Sequence, residues 1–391
     1  MPTHYKVSGY KNQLKNCSPG LSAVLDKLKT AQGFKETSKT TIEYKAKVLG
    51  VLDLPPFVVQ NNLELFQDLT DLQPGDSIHI LYHAKCMDGA AAAMVASNLF
   101  TQVEVALQIN LDVRMYPVSY AEPAPMTLRP GHVFILDFSY APEVLEELNG
   151  RHYTVTVIDH HLTAVQGILA ANEDTPVSFG FVLSDDRLKD AGVIGHSGAS
   201  LTALVLPQLL APLIGRQPEL PLYFGKFVWL ARNHDLWTHD GNTEDDALAL
   251  SYWFAKASSL VNWSIKTMMR CIEQRGPAGL VDEGRIFLNE KLHEIKNNII
   301  PRARPFTIEG MVVPVCPCPK SLSSLTSTLL NKNQPFSVTY AVVGDHIEYS
   351  LRASKESNVN VAAIAAKFSG GGHARAAGWV STKTPDELFQ L

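Results

Sequence analysis

Three short stretches of this chain run from apolar, strand-like sequence straight into acidic and histidine residues. Residues 78–82 lead to His83 and, five positions on, to Asp88; residues 133–136 lead to Asp137; residues 153–158 lead to Asp159, His160 and His161. A fourth acidic candidate, Asp235, follows the apolar run at 227–230 in an acidic loop, Asn233-His234-Asp235. A single aspartate after a strand is ordinarily a turn or a helix cap; several strand ends carrying carboxylate and imidazole together are not explained that way. The donor set is rich in oxygen, contains imidazole and shows no obvious thiolate, which favours Mn²⁺ or Mg²⁺ over structural zinc. Two such ions sharing a carboxylate can clamp a phosphoryl group and activate water. Asp137, in the middle, is the bridging candidate. Asp159 is placed to fix an imidazole tautomer, and His161 to donate to a phosphate oxygen.

A second group lies near the far end. Gly370-Gly371-Gly372-His373-Ala374-Arg375 reads as a glycine loop whose N–H groups can approach an anion, with His373 and Arg375 adding charge-assisted bonds. Arg352, at the end of a strand-like stretch, strengthens that anion reading. Ser197-Gly198-Ala199-Ser200 opens an apolar helix; Ser197 is either its N-cap or, with the helix N–H groups, a further anion contact.

The elements that must position these groups follow from periodicity. Ile78, Ile80 and Tyr82 alternate; residues 89–100 are alanine-rich and helical; 103–111 and 113–116 form a strand region; 133–136 reads as a strand buried on both faces; 143–148 is a helix; 153–158 is rich in β-branched residues. Strand, helix and strand at this spacing predict a parallel sheet with right-handed crossovers. Residues 197–215 are helical, and 254–300 reads as long connecting helices. After Pro301 the strand-like stretches 306–315, 337–343 and 346–352, with a helix at 361–368, predict a smaller α/β unit, in which Trp379 is a core residue. That unit is mildly basic, with 9 Lys and Arg against 6 Asp and Glu. The expected organisation is an N-terminal extension over 1–75, a large α/β domain over 76–253, a helical linker over 254–300 and a substrate-binding domain over 301–391.

Composition bounds the function. The chain has 391 residues, 46% hydrophobic and 19% charged, with net charge −5. It is long enough for two or three domains, and its charge argues against coating nucleic acid by bulk attraction. Five scattered cysteines (Cys17, Cys86, Cys271, Cys316, Cys318) and the lack of a secretory apolar stretch point to a cytoplasmic protein, with a mitochondrial one as the alternative. No uninterrupted apolar run approaches a membrane span of roughly 18 residues, so no membrane partner is expected.

The segments LYHAKCMDGAAAA, FILDFS, VIDHH, RNHDLW, YSLRAS and GGGHARAAG, in this order, resemble the successive motifs of the DHH phosphoesterase family with its DHH-associated C-terminal domain, over residues 76–391. The resemblance implies a Mn²⁺-dependent phosphohydrolase, with Mg²⁺ or Co²⁺ as further possibilities. It implies metal ligands at His83, Asp88, Asp137, His160 and Asp235; the residues expected to carry catalysis are Asp137, His160, His161 and Asp159. It implies substrate contacts from His161, Arg352, Gly371, Gly372, His373 and Arg375, to which the helix-opening Ser197 is added. Expected substrates are short single-stranded oligonucleotides or nucleotides, as for a nanoRNase, a 3'-5' exonuclease or a cyclic dinucleotide phosphodiesterase, and a homodimer is compatible. The first motif departs from the family pattern. It keeps one aspartate, Asp88, and has Cys86 or Met87 where the other belongs. Retained catalysis is the expectation; the alternative is a catalytically weakened nucleotide-binding or regulatory protein of the same fold.

Overall fold

The computed structural model describes residue 72 onward, apart from residues 121, 126–127, 153, 175–176, 185–195, 237–244, 260–263, 355 and 390–391. The expected extension over 1–75 therefore lies almost wholly outside the described residues. The chain divides into two compact units. One takes in the described residues up to 239 with Phe254–Leu280; the other takes in those from 240 to 253 with Val281–Leu391.

In the first unit the order is β1 (Ser77–His83), α1 (Met87–Leu107), β2 (Asp112–Val118), β3 (His132–Leu136), α2 (Pro142–Arg151), β4 (Thr154–Asp159), α3 (Leu162–Asp174), β5 (Gly180–Leu183), α4 (Gly198–Ile214) and α5 (Leu222–Asp235). The strands form one parallel sheet in the order β2-β1-β3-β4-β5. β3 and β4 are buried throughout, which is why they read as continuous apolar runs rather than alternating ones. Val133, Ile135, Val155, Val157, Phe179 and Phe181 carry much of the core. The chain moves outward from β1 to β2 and then returns to place β3 on the other side of β1. That reversal opens a crevice at the carboxyl ends of β1 and β3, where ligands bind in open α/β sheets.

Helix α1 carries in its first two turns the run Ala90–Ala93, whose residues are at most 2% exposed. It packs against α4 and α5. Residues 103–107, expected to be strand, complete this helix instead; Gln108 ends it in the left-handed conformation (φ 56°). Once nucleated by alanines, a helix extends through Val103 and Val105 at small cost per residue. α1 is long and apolar enough to cross a membrane, by length and composition, and 61% of that stretch is buried within the protein.

Helices α6 (Asp246–Ser258) and α7 (Ile265–Glu294) each contribute to both units. α7 breaks at Gly276 (φ 67°), just before Pro277. The second unit continues with β6 (Arg304–Ile308), β7 (Met311–Pro317), α8 (Ser323–Leu330), β8 (Phe336–Val343), β9 (His346–Ala353), α9 (Val361–Ala366), β10 (Gly371–His373), β11 (Ala376–Ser381) and α10 (Pro385–Leu388). Its sheet order is β10-β11-β9-β8-β7-β6. Only β7 and β8 pair in parallel, and α8 supplies the crossover such a pair requires. Trp379 lies in the core, stacked on Tyr349 with ring centroids 4.7 Å apart and on Phe368 at 4.6 Å. A parallel-sheet domain, long helices and a smaller α/β domain are thus the architecture of the chain, as the sequence patterns predict.

Candidate metal centre

The polar centre is built where the strands of the parallel sheet stop. β1 ends at His83. Lys85 takes a left-handed conformation (φ 58°) and turns the chain, so that the Cys86 sulfur comes within 4.8 Å of a His83 nitrogen. α1 then starts at Met87, and Gly89 lets it start this close: a Cβ there would lie 2.5 Å from the His83 carbonyl oxygen. Asp137 follows β3 with φ 56°, a region that aspartate and asparagine enter more readily than other non-glycine residues. Its N–H donates to the Ile158 carbonyl (2.9 Å), which ties the turn to β4. Gly198, the first residue of α4, packs on it from the other side; a Cβ there would lie 2.3 Å from the Asp137 Cβ.

These turns bring His83, Asp88, Asp137, His160 and Asp235 together. His160 Nε2 lies 3.1 Å from Asp137 Oδ1 and 3.5 Å from Asp235 Oδ2. His83 Nδ1 lies 3.6 Å from Asp137 Oδ2. Three clusters have ligand atoms within 4.8 Å of one another: His83, Cys86 and Asp137; Asp88, His160 and Asp235; and Asp137, Asp159, His160 and His161. Asp88, Asp137 and Asp159 are each at most 1% exposed, and His160 is 3% exposed. Asp159 Oδ1 accepts from the N–H of His160 (2.7 Å) and from Nδ1 of His161 (2.7 Å), so it orients the His161 ring.

The electrostatics are those of crowded negative charge. Burial, with Asp137 and Asp235 nearby, pushes the Asp88 carboxyl well above its ordinary range. Burial and the same two carboxylates, joined by Asp88, push the Cys86 thiol up. Burial also acts upward on Asp137, but the hydrogen bond from His160 and the nearby His83 imidazole outweigh it and hold that carboxyl below its ordinary value. For His161, burial acts downward and is outweighed by Asp159, which raises it. A divalent cation reverses this pattern by stabilising every ionised ligand at once. The residues fit one: Asp137 Oδ2, Asp159 Oδ2 and His83 Nδ1 are buried atoms with no hydrogen-bond partner, and oxygen with imidazole is a hard-cation donor set.

Three expectations change, while Arg352 lies where it was expected, near the end of a strand. Asp235 is the last residue of helix α5, not part of a loop. Ser197 does not face outward toward substrate. It is fully buried; its hydroxyl donates to Asp88 Oδ1 (2.6 Å) and, with Ala199 N–H on Asp88 Oδ2 (3.0 Å), it turns the start of α4 toward that carboxylate. The anion met by this helix N-terminus is the protein's own. The glycine segment is not a loop but a hairpin, β10 paired to β11 in the register Gly371↔Gly378, Gly372↔Ala377 and His373↔Ala376. Sheet packing accounts for two of its glycines: a Cβ on Gly370 would lie 2.2 Å from the Gly378 carbonyl, and one on Gly372 (φ 138°) 2.5 Å from that of Ala376. Arg352 is half-buried in the second unit, where it donates to the Leu351 carbonyl and to Ser324 Oγ; burial lowers its basicity. It is across from Ala376 in β11, which is in turn across from His373, so Arg352 and His373 share one row of the sheet. Arg375 is exposed in the hairpin turn, and Gly371 is exposed at the other end of β10, across from Gly378.

Tyr120 was not visible from the sequence. Its ring packs edge-on to His83 (5.4 Å) and His161 (5.9 Å) and against Phe138 (4.6 Å), yet the residue is 56% exposed. A lone tyrosine in a proline-containing loop gives no signal that it roofs two imidazoles. Gly198 gives none either, because its role is contact with a strand end distant in sequence.

No family model matches the chain. It is 24% identical over 319 residues to an uncharacterized protein of Acanthamoeba polyphaga mimivirus, covering 76% of this chain and 66% of that one, just under two thirds of its length. Among solved structures it is similar to RecJ from Thermus thermophilus in complex with Mn²⁺ (TM-score 0.49, 16% identity, 86% of this chain and 54% of that one). It is also similar to an exonuclease RecJ bound to manganese (0.46, 16%, 84% and 91%) and to a pGpG-specific phosphodiesterase from Vibrio cholerae (0.40, 10%, 79% and 93%). The chain spans about half the length of the Thermus protein. In the order of its motifs, and in the meeting of the first four of them at the carboxyl edge of the parallel sheet, the chain resembles the DHH phosphoesterases.

Proposed function

We propose that the chain is a divalent-metal-dependent phosphoesterase of the DHH family, acting on a phosphodiester or phosphomonoester of a short single-stranded oligonucleotide or a nucleotide. The observation that carries this is the meeting of His83, Asp88, Asp137, His160 and Asp235 around buried Asp137, whose Oδ2 faces His83 Nδ1 across 3.6 Å without a hydrogen bond. These residues would hold the ions, with Asp137 shared. Bound there, divalent cations supply Lewis-acid polarisation of a phosphoryl oxygen and activation of water. The protein's own groups do the rest. Asp159 fixes His161 through Nδ1, leaving Nε2 to donate to a phosphate oxygen. Ser197 and Ala199 hold Asp88 in one orientation. Tyr120 limits water at the imidazoles from the exposed side. In the second unit, Arg352 and the β10–β11 hairpin with Arg375 offer cationic groups to an anion.

The test is a substrate panel of short RNA, cyclic dinucleotides, phosphoadenosine phosphate and polyphosphate with Mn²⁺, Mg²⁺ and Co²⁺, beside an Asp235→Ala control. Hydrolysis of at least one substrate, lost in the control, supports the proposal. Nucleotide binding without product, unchanged in Asp137→Asn, would make the chain a binding protein instead.

A further inference from the structure

The donor set of this centre is not uniform. One cluster, Asp88 with His160 and Asp235, offers only oxygen and imidazole. The other, His83 with Cys86 and Asp137, includes sulfur. Cys86 is the residue before α1, in extended conformation (φ −108°, ψ 131°), and its side chain makes no capping bond to the helix. Its backbone carbonyl accepts from the Ala90 N–H (3.1 Å), as that of any residue there would, so the helix start does not call for a thiol. A second observation points to a ligand at the same place: Asp137 is 1% exposed, and its Oδ2, without a hydrogen-bond partner, is turned to this cluster. The described cysteines elsewhere have structural surroundings. Cys316 donates to the Ile299 carbonyl, Cys318 meets Thr326 Oγ1 at 3.2 Å, and Cys271 is buried.

We propose that His83, Cys86 and Asp137 form a subsite for a borderline-soft cation, Zn²⁺ or Co²⁺, beside a hard subsite of Asp88, His160 and Asp235 suited to Mn²⁺ or Mg²⁺. This deepens the phosphoesterase reading and rests on it. Thiolate favours zinc and cobalt over manganese and magnesium, and the intrinsic order of divalent affinities runs the same way. Binding converts the Cys86 thiol to thiolate, its proton passing to solvent. The protein then takes two ions of different kind, and manganese alone fills one subsite well and the other weakly. What looked from the sequence like a missing carboxylate is a change of metal preference.

The full chain, stripped by chelator, is titrated with Co²⁺ and followed both by near-ultraviolet sulfur-to-cobalt charge transfer and by calorimetry. The expected result is a charge-transfer band that saturates with one of two bound ions. Cys86→Ser abolishes the band and weakens Zn²⁺ binding at least about tenfold, since a lost ligand costs no less than a lost outer partner, while Mn²⁺ still binds. Cys86→Asp also lacks the band, still binds two Co²⁺ ions, and binds Mn²⁺ at least about tenfold more tightly than the parent, as an oxygen donor replaces sulfur. Two bound Co²⁺ ions with no band in the parent, or a band that persists in Cys86→Ser, overturn the soft subsite and leave the phosphoesterase reading standing. A parent that binds no Co²⁺, and so behaves as Asp137→Asn does, overturns both.

Discussion

Both edges of the parallel sheet collect histidines, and their partners differ. At the carboxyl edge His83, His160 and His161 meet Asp137, Asp235 and Asp159. At the amino edge His79 and His152 both bond the Arg129 carbonyl, at 2.9 and 3.0 Å, and His132 meets Thr154 Oγ1 at 2.8 Å. Residue type is the same at the two edges. Carboxylates make one edge a candidate cation site; a backbone carbonyl and a hydroxyl hold the imidazoles of the other, where burial favours the neutral form of His79 and His152. A histidine's function is therefore set by what the topology brings opposite it.

The largest expected contrast is between Asp137→Asn and His132→Asn. Asparagine keeps the φ 56° turn, so Asp137→Asn should fold while losing more than about 100-fold in ion affinity, together with turnover. His132→Asn should leave ion binding alone and lose about 1 kcal/mol of stability with its bond to Thr154. Calorimetry and thermal unfolding measure both. Next in size is Gly198→Ala, whose new Cβ meets Asp137 at 2.3 Å; it should cost about 1–3 kcal/mol and weaken ion binding by displacing that carboxylate. Gly225→Ala, with nothing within 4 Å of the added atom, should be neutral or stabilising by about 0.5 kcal/mol.

A pH scan sharpens the comparison. Burial lowers the pKa of both His79 and His152, against the opposing effect of the Arg129 carbonyl. For His79, the neighbouring His152 and Arg114 add to the lowering and Asp112 opposes it; for His152, Arg151 adds to it. Below the ordinary histidine value of about 6.5 the unfolded chain binds protons that the native chain refuses. Stability from this pair is thus complete above that value and lost as pH falls through it toward the lower folded values. The unfolding midpoint should drop between about pH 7 and 5.5, and His79→Gln with His152→Gln should flatten the drop; a parent with no such drop would contradict the neutral assignment. Ser197→Ala, which removes an N-cap and one of the hydrogen bonds to Asp88, should cost about 1 kcal/mol in thermal unfolding.

Much of this centre was legible because strand termini write themselves plainly. Apolar runs stopping at His83, Asp137 and Asp159 mark both a parallel strand and the edge at which it ends. What was not legible depends on contacts between distant segments. Whether Ser197 faces a substrate or Asp88 is decided by how α4 docks. The glycine triplet could not disclose a hairpin, since glycines carry no alternation of side chains. Residues 103–107 have strand-like composition and became helix because the alanine run before them had already nucleated one. β5 is only four residues long, Gly180–Leu183, too short for periodicity to register.

The most direct test of the central claim is a crystal of the full chain grown with manganese and zinc, with anomalous scattering recorded at each metal's absorption edge. The account predicts ions bound by His83, Asp88, Asp137, His160 and Asp235, with Asp137 common to both positions and zinc on the side of Cys86. No anomalous peak among these residues at saturating metal would contradict it.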